Sequence, residues 1–140
     1  MPEIIFKGKT LAGKWVKGYY ASKDNKAFII TIERAEFGEF FEAVEVIPET
    51  VFMGLNFVDK NKQQIFSGDI LRRYKGELFV ITWSRFDSMF NAVRYVEKCQ
   101  RFAGAAYIRD IDIEKYEIIG NMLDNPELIQ EAKTWQSVNE

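Results

Sequence analysis

The 140-residue sequence contains no histidine, and this absence excludes several kinds of chemistry at once. Histidine is the usual general base beside a catalytic serine or cysteine, and it is the commonest ligand of transition metals. The single cysteine, Cys99, has no partner for a disulfide and no second thiol for a zinc site, so a buried or half-buried structural role is expected. Phosphate-binding glycine loops, GxSxG elbows and HExxH helices are also missing. We therefore expect no catalytic residues, no cofactor and no enzymatic activity.

Long apolar runs and a strong excess of one charge are missing as well. No stretch approaches the roughly 20 apolar residues that span a bilayer, and the N-terminus lacks the pattern of a signal peptide. The 19 basic and 21 acidic residues give a net charge of −2, whereas proteins that bind nucleic acid usually carry a basic excess. The composition predicts a cytoplasmic protein that does not bind membranes, and it disfavours nucleic acid as a partner.

Apolar residues make up 47% of the sequence and aromatic residues 15%, enough for a packed core. One domain over residues 1–140, ordered from about residue 3 to about residue 133, is the simplest organisation. Short apolar runs between polar turns predict a mainly β fold, a small antiparallel barrel-like domain. In the turn after Asp59, we expect Asn61 to adopt a positive φ. The predicted strands include Lys14–Tyr20 and Ala27–Ile32, joined as a hairpin through residues 22–26, and then Leu78–Trp83, Phe90–Val96, Ala105–Ile108, Ile111–Ile113 and Tyr116–Gly120.

The C-terminal region carries the signals of a short helix packed on this sheet. Asn125 is a favourable N-cap, Pro126 suits the first helical position, and Glu127 favours the positive end of the helix dipole. Leu128 and Ile129, with Ala132 and Trp135 further along, share one face at helical spacing. We expect this face to dock on the β domain.

Three collinear segments resemble the YopX-like proteins of phages and prophages. They are GKWVKGYY (Gly13–Tyr20), VIPETVFMGLNFVDKNKQQIFSGDIL (Val46–Leu71) and YEIIGNMLDNPEL (Tyr116–Leu128). The chain departs from the family pattern at Leu55–Phe57, where threonine-glycine-leucine is usual, and at Lys62, where glycine usually follows DKN. The resemblance implies a barrel-like β fold, a phage or prophage origin, a bacterial host cell and no established activity. It supplies no catalytic residues.

Two groups of carboxylates are the only candidates for a metal or catalytic site. Asp110, Asp112 and Glu114 share one face of an extended segment at a spacing of about 6.6–6.8 Å, which could suit a hard cation, although a solvated strand face has the same pattern. Asp69 could pair with Asp87 as acid and base, but aspartate in such a turn more often accepts hydrogen bonds from backbone N–H groups. We interpret both groups as structural.

Two surfaces are candidates for binding. Basic and aromatic side chains in the second half of the chain could contact nucleic acid through phosphates and stacking; these are Arg72, Arg73, Tyr74, Lys75 and Trp83. The N-terminal third is unusually aromatic, which favours core packing or an interface, and its candidate interface residues are Trp15, Tyr19 and Tyr20.

These observations together indicate a non-catalytic, phage- or prophage-encoded accessory protein. It is expected to act by binding a protein partner or by self-association. A nucleic-acid-binding small β-barrel and a carboxylate-dependent hydrolase are the two alternatives.

The absence of histidine and of a second cysteine leads to a prediction about metals. Thermal melts in EDTA, in millimolar Ca²⁺ and in millimolar Mg²⁺ should superimpose. The only candidate ligands for a cation are the carboxylate oxygens of Asp110, Asp112 and Glu114, and we interpret these residues as structural. A cation that bound the native state would raise the melting temperature by mass action. A reproducible rise of several degrees with one cation would contradict the prediction.

Overall fold

The computed structural model describes residues 5–73, 76–84, 89–108 and 111–130. Strands make up 62% of these residues, so the fold is mainly β, as the sequence predicts. The chain divides into two compact units, Met1–Asn56 and Phe57–Glu140. The strands are β1 (Phe6–Lys9), β2 (Trp15–Lys23), β3 (Lys26–Ala35), β4 (Gly38–Val46), β5 (Phe52–Val58), β6 (Gln64–Phe66), β7 (Asp69–Arg72), β8 (Leu78–Ser84), β9 (Met89–Val96), β10 (Arg101–Tyr107) and β11 (Glu117–Asn121).

The first unit is built on an antiparallel sheet with the strand order β4-β3-β2-β1-β5. β5 runs on into the second unit, where β6 follows it in the strand order. Asp24 and Asn25, with φ angles of 53° and 63°, form the two-residue turn between β2 and β3. Two consecutive left-handed residues define a type I′ turn, whose twist matches that of the strands. The predicted hairpin is therefore confirmed, with longer strands than expected.

This sheet curls until the end of β1 reaches the end of β4. Thr10 forms a β-bridge with Val46, and the Ile47 N–H donates a hydrogen bond to the Lys9 carbonyl at 2.8 Å. The inner side of the curl holds the core of the first unit. Ala27, Ile29 and Val46 are buried there, with Phe6, Val16 and Val51 packed against them.

The second unit contains an antiparallel sheet with the strand order β10-β9-β8-β7-β11. A 3₁₀ segment, Pro126–Ile129, places Ile129 in the core on one face of this sheet. The Tyr95 hydroxyl donates a hydrogen bond to the carbonyl of Gln130, which fixes the end of that segment. The other buried members of the core are Ile70, Leu78 and Val80, and Phe102, Ile119 and Leu128 pack against them.

The prediction of a single barrel-like sheet is wrong. The described strands form two open sheets, each packed on its own core, and the Thr10–Val46 contact closes the first sheet only by a single bridge. Each sheet can bury one face against side chains that the same unit supplies, so closure into a barrel is not needed to remove the apolar faces from water.

The predicted C-terminal helix is also wrong for the residues that the structure describes. The chain makes one 3₁₀ turn at Pro126–Ile129 and is extended again at Gln130. Asn125 does not cap it, because its side-chain oxygen accepts a hydrogen bond from the Asn121 N–H at 3.2 Å instead. Ala132 and Trp135 lie outside the described residues.

Within the described ranges, no helix is long and apolar enough to cross a membrane.

Three local predictions fail for identifiable reasons. The expected strand at Ile111–Ile113 is replaced by a 3₁₀ turn, Ile113–Lys115, which buries Ile113. The positive φ in the turn after Asp59 falls on Lys62, at 64°, because the Asp59 carboxylate holds the N–H of Asn61. Cys99 is exposed, since it lies in the turn between β9 and β10.

Three polar residues in the Val46–Leu71 segment, Thr50, Asp59 and Asp69, satisfy backbone groups. The Thr50 hydroxyl donates to the Ile47 carbonyl at 2.6 Å and accepts from the Lys9 N–H at 2.8 Å. Asp69 accepts from the Phe66 N–H at 2.8 Å, which is the structural role that its turn position predicts. Buried polar groups require partners of this kind. The residues that carry the resemblance therefore support the fold.

Asp59 makes the most extensive of these connections. Its side chain is 2% exposed, and one oxygen accepts hydrogen bonds from the N–H groups of Asn61 and Gln63, both at 2.9 Å. The other oxygen accepts from the Ile118 N–H at 3.0 Å. Hydrogen bonds to a carboxylate are stronger than those between neutral groups. Asp59 thus ties the β5–β6 turn to strand β11.

Replacing Asp59 with alanine should lower the free energy of unfolding by about 3–5 kcal/mol, because three backbone N–H groups lose a charged acceptor. Chemical denaturation measures this difference. The matched control is Asp112→Ala, which removes an exposed carboxylate paired with Lys115 at 3.4 Å. It should change stability by less than about 0.5 kcal/mol. Equal effects of the two substitutions would contradict the role assigned to Asp59.

Candidate interaction surface

The outer face of the first sheet, opposite its core, collects aromatic and lysine side chains from three strands. Directly paired residues of antiparallel strands share a face, and Lys9 pairs with Trp15, Lys7 with Lys17, and Lys7 with Phe52. Alternate residues of β2 also share a face, which adds Tyr19. We refer to these six residues as the lysine–aromatic face: Lys7, Lys9, Trp15, Lys17, Tyr19 and Phe52.

The lysines of this face lie against its aromatic rings. Trp15 and Phe52 stack with their ring centroids 5.7 Å apart. The Lys7 ammonium lies 4.8 Å from the Trp15 centroid, and that of Lys9 lies 5.3 Å from it. Each such contact contributes about 0.5–1 kcal/mol at an exposed site. The two lysine side chains are therefore held beside an apolar platform.

The far end of the β3–β4 hairpin is a second unusual surface. Every residue from 32 to 43 is exposed, and we refer to this stretch as the acidic hairpin end. It contains four glutamates and one arginine, a net charge of −3, with an Arg34–Glu39 ion pair at 3.2 Å. It also exposes three phenylalanines: Phe37 is 92% exposed, Phe41 68% and Phe40 58%. The segment thus combines apolar and negatively charged groups outside the core.

An apolar row joins the two surfaces. Tyr19 pairs with Ile30 on β3, and two residues further along β3, Ile32 pairs with Phe41. These four side chains lie on the outer face of the sheet. Tyr19 is 39% exposed and Ile32 41% exposed. The lysine–aromatic face is therefore continuous with the side of the acidic hairpin end that carries Ile32 and Phe41, whereas Glu33, Phe40 and Glu42 lie on the opposite side.

The structure separates the three interface residues predicted from the sequence. Trp15 and Tyr19 share the outer face, whereas Tyr20 points to the inner face and lies 5.4 Å from the Phe6 ring. Sequence reasoning missed the partners of Trp15 on β1 and β5, namely Lys7, Lys9 and Phe52. The lysines at alternate positions 7 and 9 were the available signal for an outward-facing lysine row on β1.

Two of the nucleic-acid contacts predicted in the second unit, Arg72 and Trp83, lie on opposite faces of its sheet. Arg72 pairs directly with Leu78, whereas Trp83 lies five residues after Leu78 on β8 and so on the opposite face of the sheet. The Arg72 guanidinium makes an ion pair with Glu117 at 3.6 Å, and the Trp83 ring packs edge-on against Phe90. Tyr74 and Lys75 lie outside the described residues.

The proposed carboxylate sites can be located only in part. Asp112 makes an ion pair with Lys115, and Glu114 is exposed, while Asp110 and Asp87 lie outside the described residues. Among the residues that the structure describes, no cluster of three acidic, histidine or cysteine side chains could hold a metal ion.

Arg73 contacts a buried tyrosine. Its guanidinium lies 5.9 Å from the ring centroid of Tyr116, which packs edge-on against Phe79 and is 2% exposed. Burial raises the pKa of the Tyr116 phenol above its ordinary value of 10.0, and the nearby Arg73 charge opposes part of that rise. Arg73 therefore has a structural contact that would compete with a role in binding.

The architecture defines a mainly β protein with two antiparallel sheets and an amphipathic outer surface on the first. The family model described as YopX protein matches residues 12–130, which is most of the chain. The chain belongs to the YopX family. No curated protein matches the sequence.

The raised pKa of Tyr116 predicts a loss of stability at alkaline pH. The neutral phenol is favoured in the folded state, so its contribution is fully present below about pH 10, the unfolded value, and is lost as the pH rises through the folded value. The free energy of unfolding should fall more steeply above pH 10 in the wild type than in Tyr116→Phe, by at most about 1.4 kcal/mol per pH unit. Tyr20→Phe, which keeps Tyr116, should retain the wild-type slope. Identical slopes for the wild type and Tyr116→Phe would contradict the prediction.

Proposed function

We propose that the protein is a non-catalytic accessory protein that acts by binding a protein partner through the acidic hairpin end. The observation that carries this proposal is the run of exposed residues from 32 to 43, in which Phe37, Phe40 and Phe41 project away from the core. Phe41 lies beside its exposed pair partner Ile32 on one face of the hairpin, and Phe40 lies on the other face. Exposed apolar surface of this kind marks interaction sites in folded proteins.

Burial of these rings supplies the driving force for binding. Removing apolar surface from water stabilises a complex by roughly 25 cal/mol per Å². Aromatic side chains are enriched at the centres of protein interfaces, where they fill pockets on the partner. The two-stranded hairpin holds Phe40 and Phe41 on a paired backbone, and Phe37 lies in the short turn between the two strands, so less conformational entropy is lost on binding than with a disordered segment.

The charges of the hairpin end define the chemistry of the partner. Glu33, Glu36, Glu39 and Glu42 surround the phenylalanines, and Arg34 is the only basic residue among them. A complementary partner presents an apolar pocket with lysine or arginine at its rim. Such pairing raises the association rate and disfavours acidic partners.

Three observations support binding in preference to catalysis. The sequence has no histidine to serve as a general base. The buried carboxylates of Asp59 and Asp69 accept backbone hydrogen bonds, which explains their burial without a reaction. Two cavities, of about 340 and 250 Å³, flank the β2–β3 turn, and the charged residues that line them include Lys26 and Glu45, which already form an ion pair at 3.7 Å.

The cellular setting follows from the resemblance to phage and prophage proteins. We propose that the protein acts in the cytoplasm of a bacterial host during infection or prophage induction. Binding accessory proteins of this kind need no catalytic site, and the fold itself does not identify a reaction.

Affinity capture from prophage-induced cells tests the proposal. Tagged wild-type protein should enrich one or more proteins that the double variant Phe37→Ser/Phe41→Ser fails to enrich, because that variant removes the apolar contact and leaves the core intact. Leu11→Ser is the matched control, since Leu11 is 74% exposed but lies in the turn after β1. It should capture the same proteins as the wild type. The same capture profile for the wild type and the phenylalanine variant would refute the proposal.

A further inference from the structure

We propose that the partner of the acidic hairpin end contributes an extended strand that pairs with the open edge of β4. This inference rests on the proposed function and specifies how the partner is bound. β4 is the first strand in the order of its sheet, and its nine residues pair with β3 without interruption. Among the described residues, the other side of β4 meets only the end of β1, at the Thr10–Val46 bridge.

Strand geometry identifies the backbone groups on this open edge. Successive residues of a strand point their N–H and C=O groups to opposite sides, so alternate residues face the same side. The Ile47 N–H donates to the Lys9 carbonyl, away from β3. Counting back from Ile47 in steps of two, the residues that face this side are Glu45, Ala43, Phe41 and Glu39. Within the described ranges, no neighbouring strand bonds to the backbone groups that these four residues present there.

The two edge strands of the second sheet are irregular, whereas β4 is not. A shift of register interrupts the pairing of β10 between Phe102 and Ala105, and that of β11 between Ile118 and Gly120. Such bulges twist an edge and hinder the addition of a further strand. β4 has no shift of register along its nine pairs and no proline. It therefore presents a regular template for another strand.

The outer side of this template is apolar. Phe41 lies there beside its pair partner Ile32, both exposed, and Ala43 follows Phe41 on the same side. The charged residues next to Phe41, Arg34 and Glu39, form an ion pair with each other at 3.2 Å, so they leave no net charge. A strand paired with β4 would complement this side with apolar side chains.

The opposite side of the hairpin end is acidic. The register places Glu42 and Glu33 there, with Phe40 between them. Both glutamates are exposed, and in the part of the chain that the structure describes neither has an ion pair. A lysine or arginine opposite Glu42 in the added strand supplies the missing charge.

These two sides define the chemistry of the partner strand. It alternates apolar residues, which lie on the outer side, with basic residues, which lie on the acidic side. Its backbone supplies donors and acceptors at the spacing that β4 requires, about 6.8 Å or twice the rise per residue. Main-chain pairing then provides affinity, and the alternating side chains provide specificity. β4 of a second copy contains three glutamates and no basic residue, so it lacks this complement.

Selection from a peptide library tests the inference. The probe is a displayed library of random linear peptides about eight residues long, enough to pair along the open edge, selected on the full chain at physiological salt. The enriched sequences should alternate lysine or arginine with apolar residues. A library that yields no binder, or enriched peptides without this alternation, overturns the inference.

A proline at position 43 tests the backbone pairing. Ala43→Pro removes an N–H group from the open edge and places the proline ring there, but it removes no hydrogen bond to β3, so the fold should tolerate it. Fluorescence anisotropy should show that an enriched peptide binds this variant at least about tenfold more weakly. Ala43→Ser is the matched control, because it keeps the N–H group, and it should bind as the wild type does. Equal binding by the two variants overturns the inference.

Hydrogen exchange on the wild type gives a test that needs no variant. In the free protein, the N–H groups of Phe41 and Ala43 should exchange faster than those of Phe40 and Glu42, which face β3. An enriched peptide at saturation should slow exchange at Phe41 and Ala43 by at least about tenfold. Exchange at these two positions that the bound peptide leaves unchanged overturns the inference.

Reversal of one charge tests the predicted orientation of the strand. Glu42→Lys should weaken binding of an enriched peptide at least about fivefold, because it places like charges opposite each other. Glu49→Lys is the matched control, since it makes the same change of net charge at an exposed position in the turn after β4. It should bind nearly as well as the wild type. Equal losses in the two variants overturn the inference.

Two further measurements separate this inference from the proposed function and from self-association. If folded Ala43→Pro still captures the proteins that Phe37→Ser/Phe41→Ser loses, strand addition is overturned while the proposed function stands. If Phe37→Ser/Phe41→Ser captures the same proteins as the wild type, the proposed function is refuted and the inference with it. A wild-type dimer in sedimentation velocity that Ala43→Pro dissociates would assign the edge to a second copy and overturn the inference.

Discussion

The close approach of backbone and side chains inside the curled first sheet is the constraint on which its surfaces depend. A Cβ atom at Gly18 would lie 2.2 Å from the Ile30 carbonyl oxygen, and one at Gly8 would lie 2.9 Å from a methyl group of Val46. Neither position can hold a side chain unless the backbone or its neighbour moves. Because glycine occupies both positions, β2 can approach β3 closely at Gly18 and β1 can approach β4 closely at Gly8. The interior of the curl holds Ala27, Ile29 and Val46, with Phe6, Val16 and Val51 packed against them.

The strand register decides which aromatic residues of the first unit lie outside this interior. Trp15 lies on the outer face, and the three phenylalanines of the acidic hairpin end are exposed. The same register sorts the charges. Lysines of β1 and β2 alternate onto the outer face, while the glutamates collect where β3 and β4 extend past their neighbours. The register thus separates a lysine-rich face from an acidic hairpin end in a chain that is nearly neutral.

Local patterns in the sequence predict the strands and turns better than they predict which strands are neighbours. The two turn residues Asp24 and Asn25 identify their hairpin, since left-handed backbone suits short polar side chains. The β3–β4 hairpin was harder to recognise because its end is exposed on both faces and shows no apolar alternation. The approach of β1 and β5 to Trp15 depends on pairings between distant residues, which no local pattern encodes. The C-terminal helix signal at Asn125 failed because a backbone N–H four residues earlier competes for its side chain.

Membership of the YopX family accounts for the scaffold more fully than for the partner. The polar residues of the resembling segments, such as Thr50, Asp59 and Asn125, bind backbone groups and hold turns in place. The hairpin end, residues 32–43, lies in none of those segments, although Trp15 and Tyr19 belong to the first of them. The same scaffold can therefore carry hairpin ends of different charge and apolar content without loss of its core. On the proposed function, the choice of partner depends on a segment whose exposure removes it from the packing constraints of the fold, as is usual for functional loops on a rigid framework.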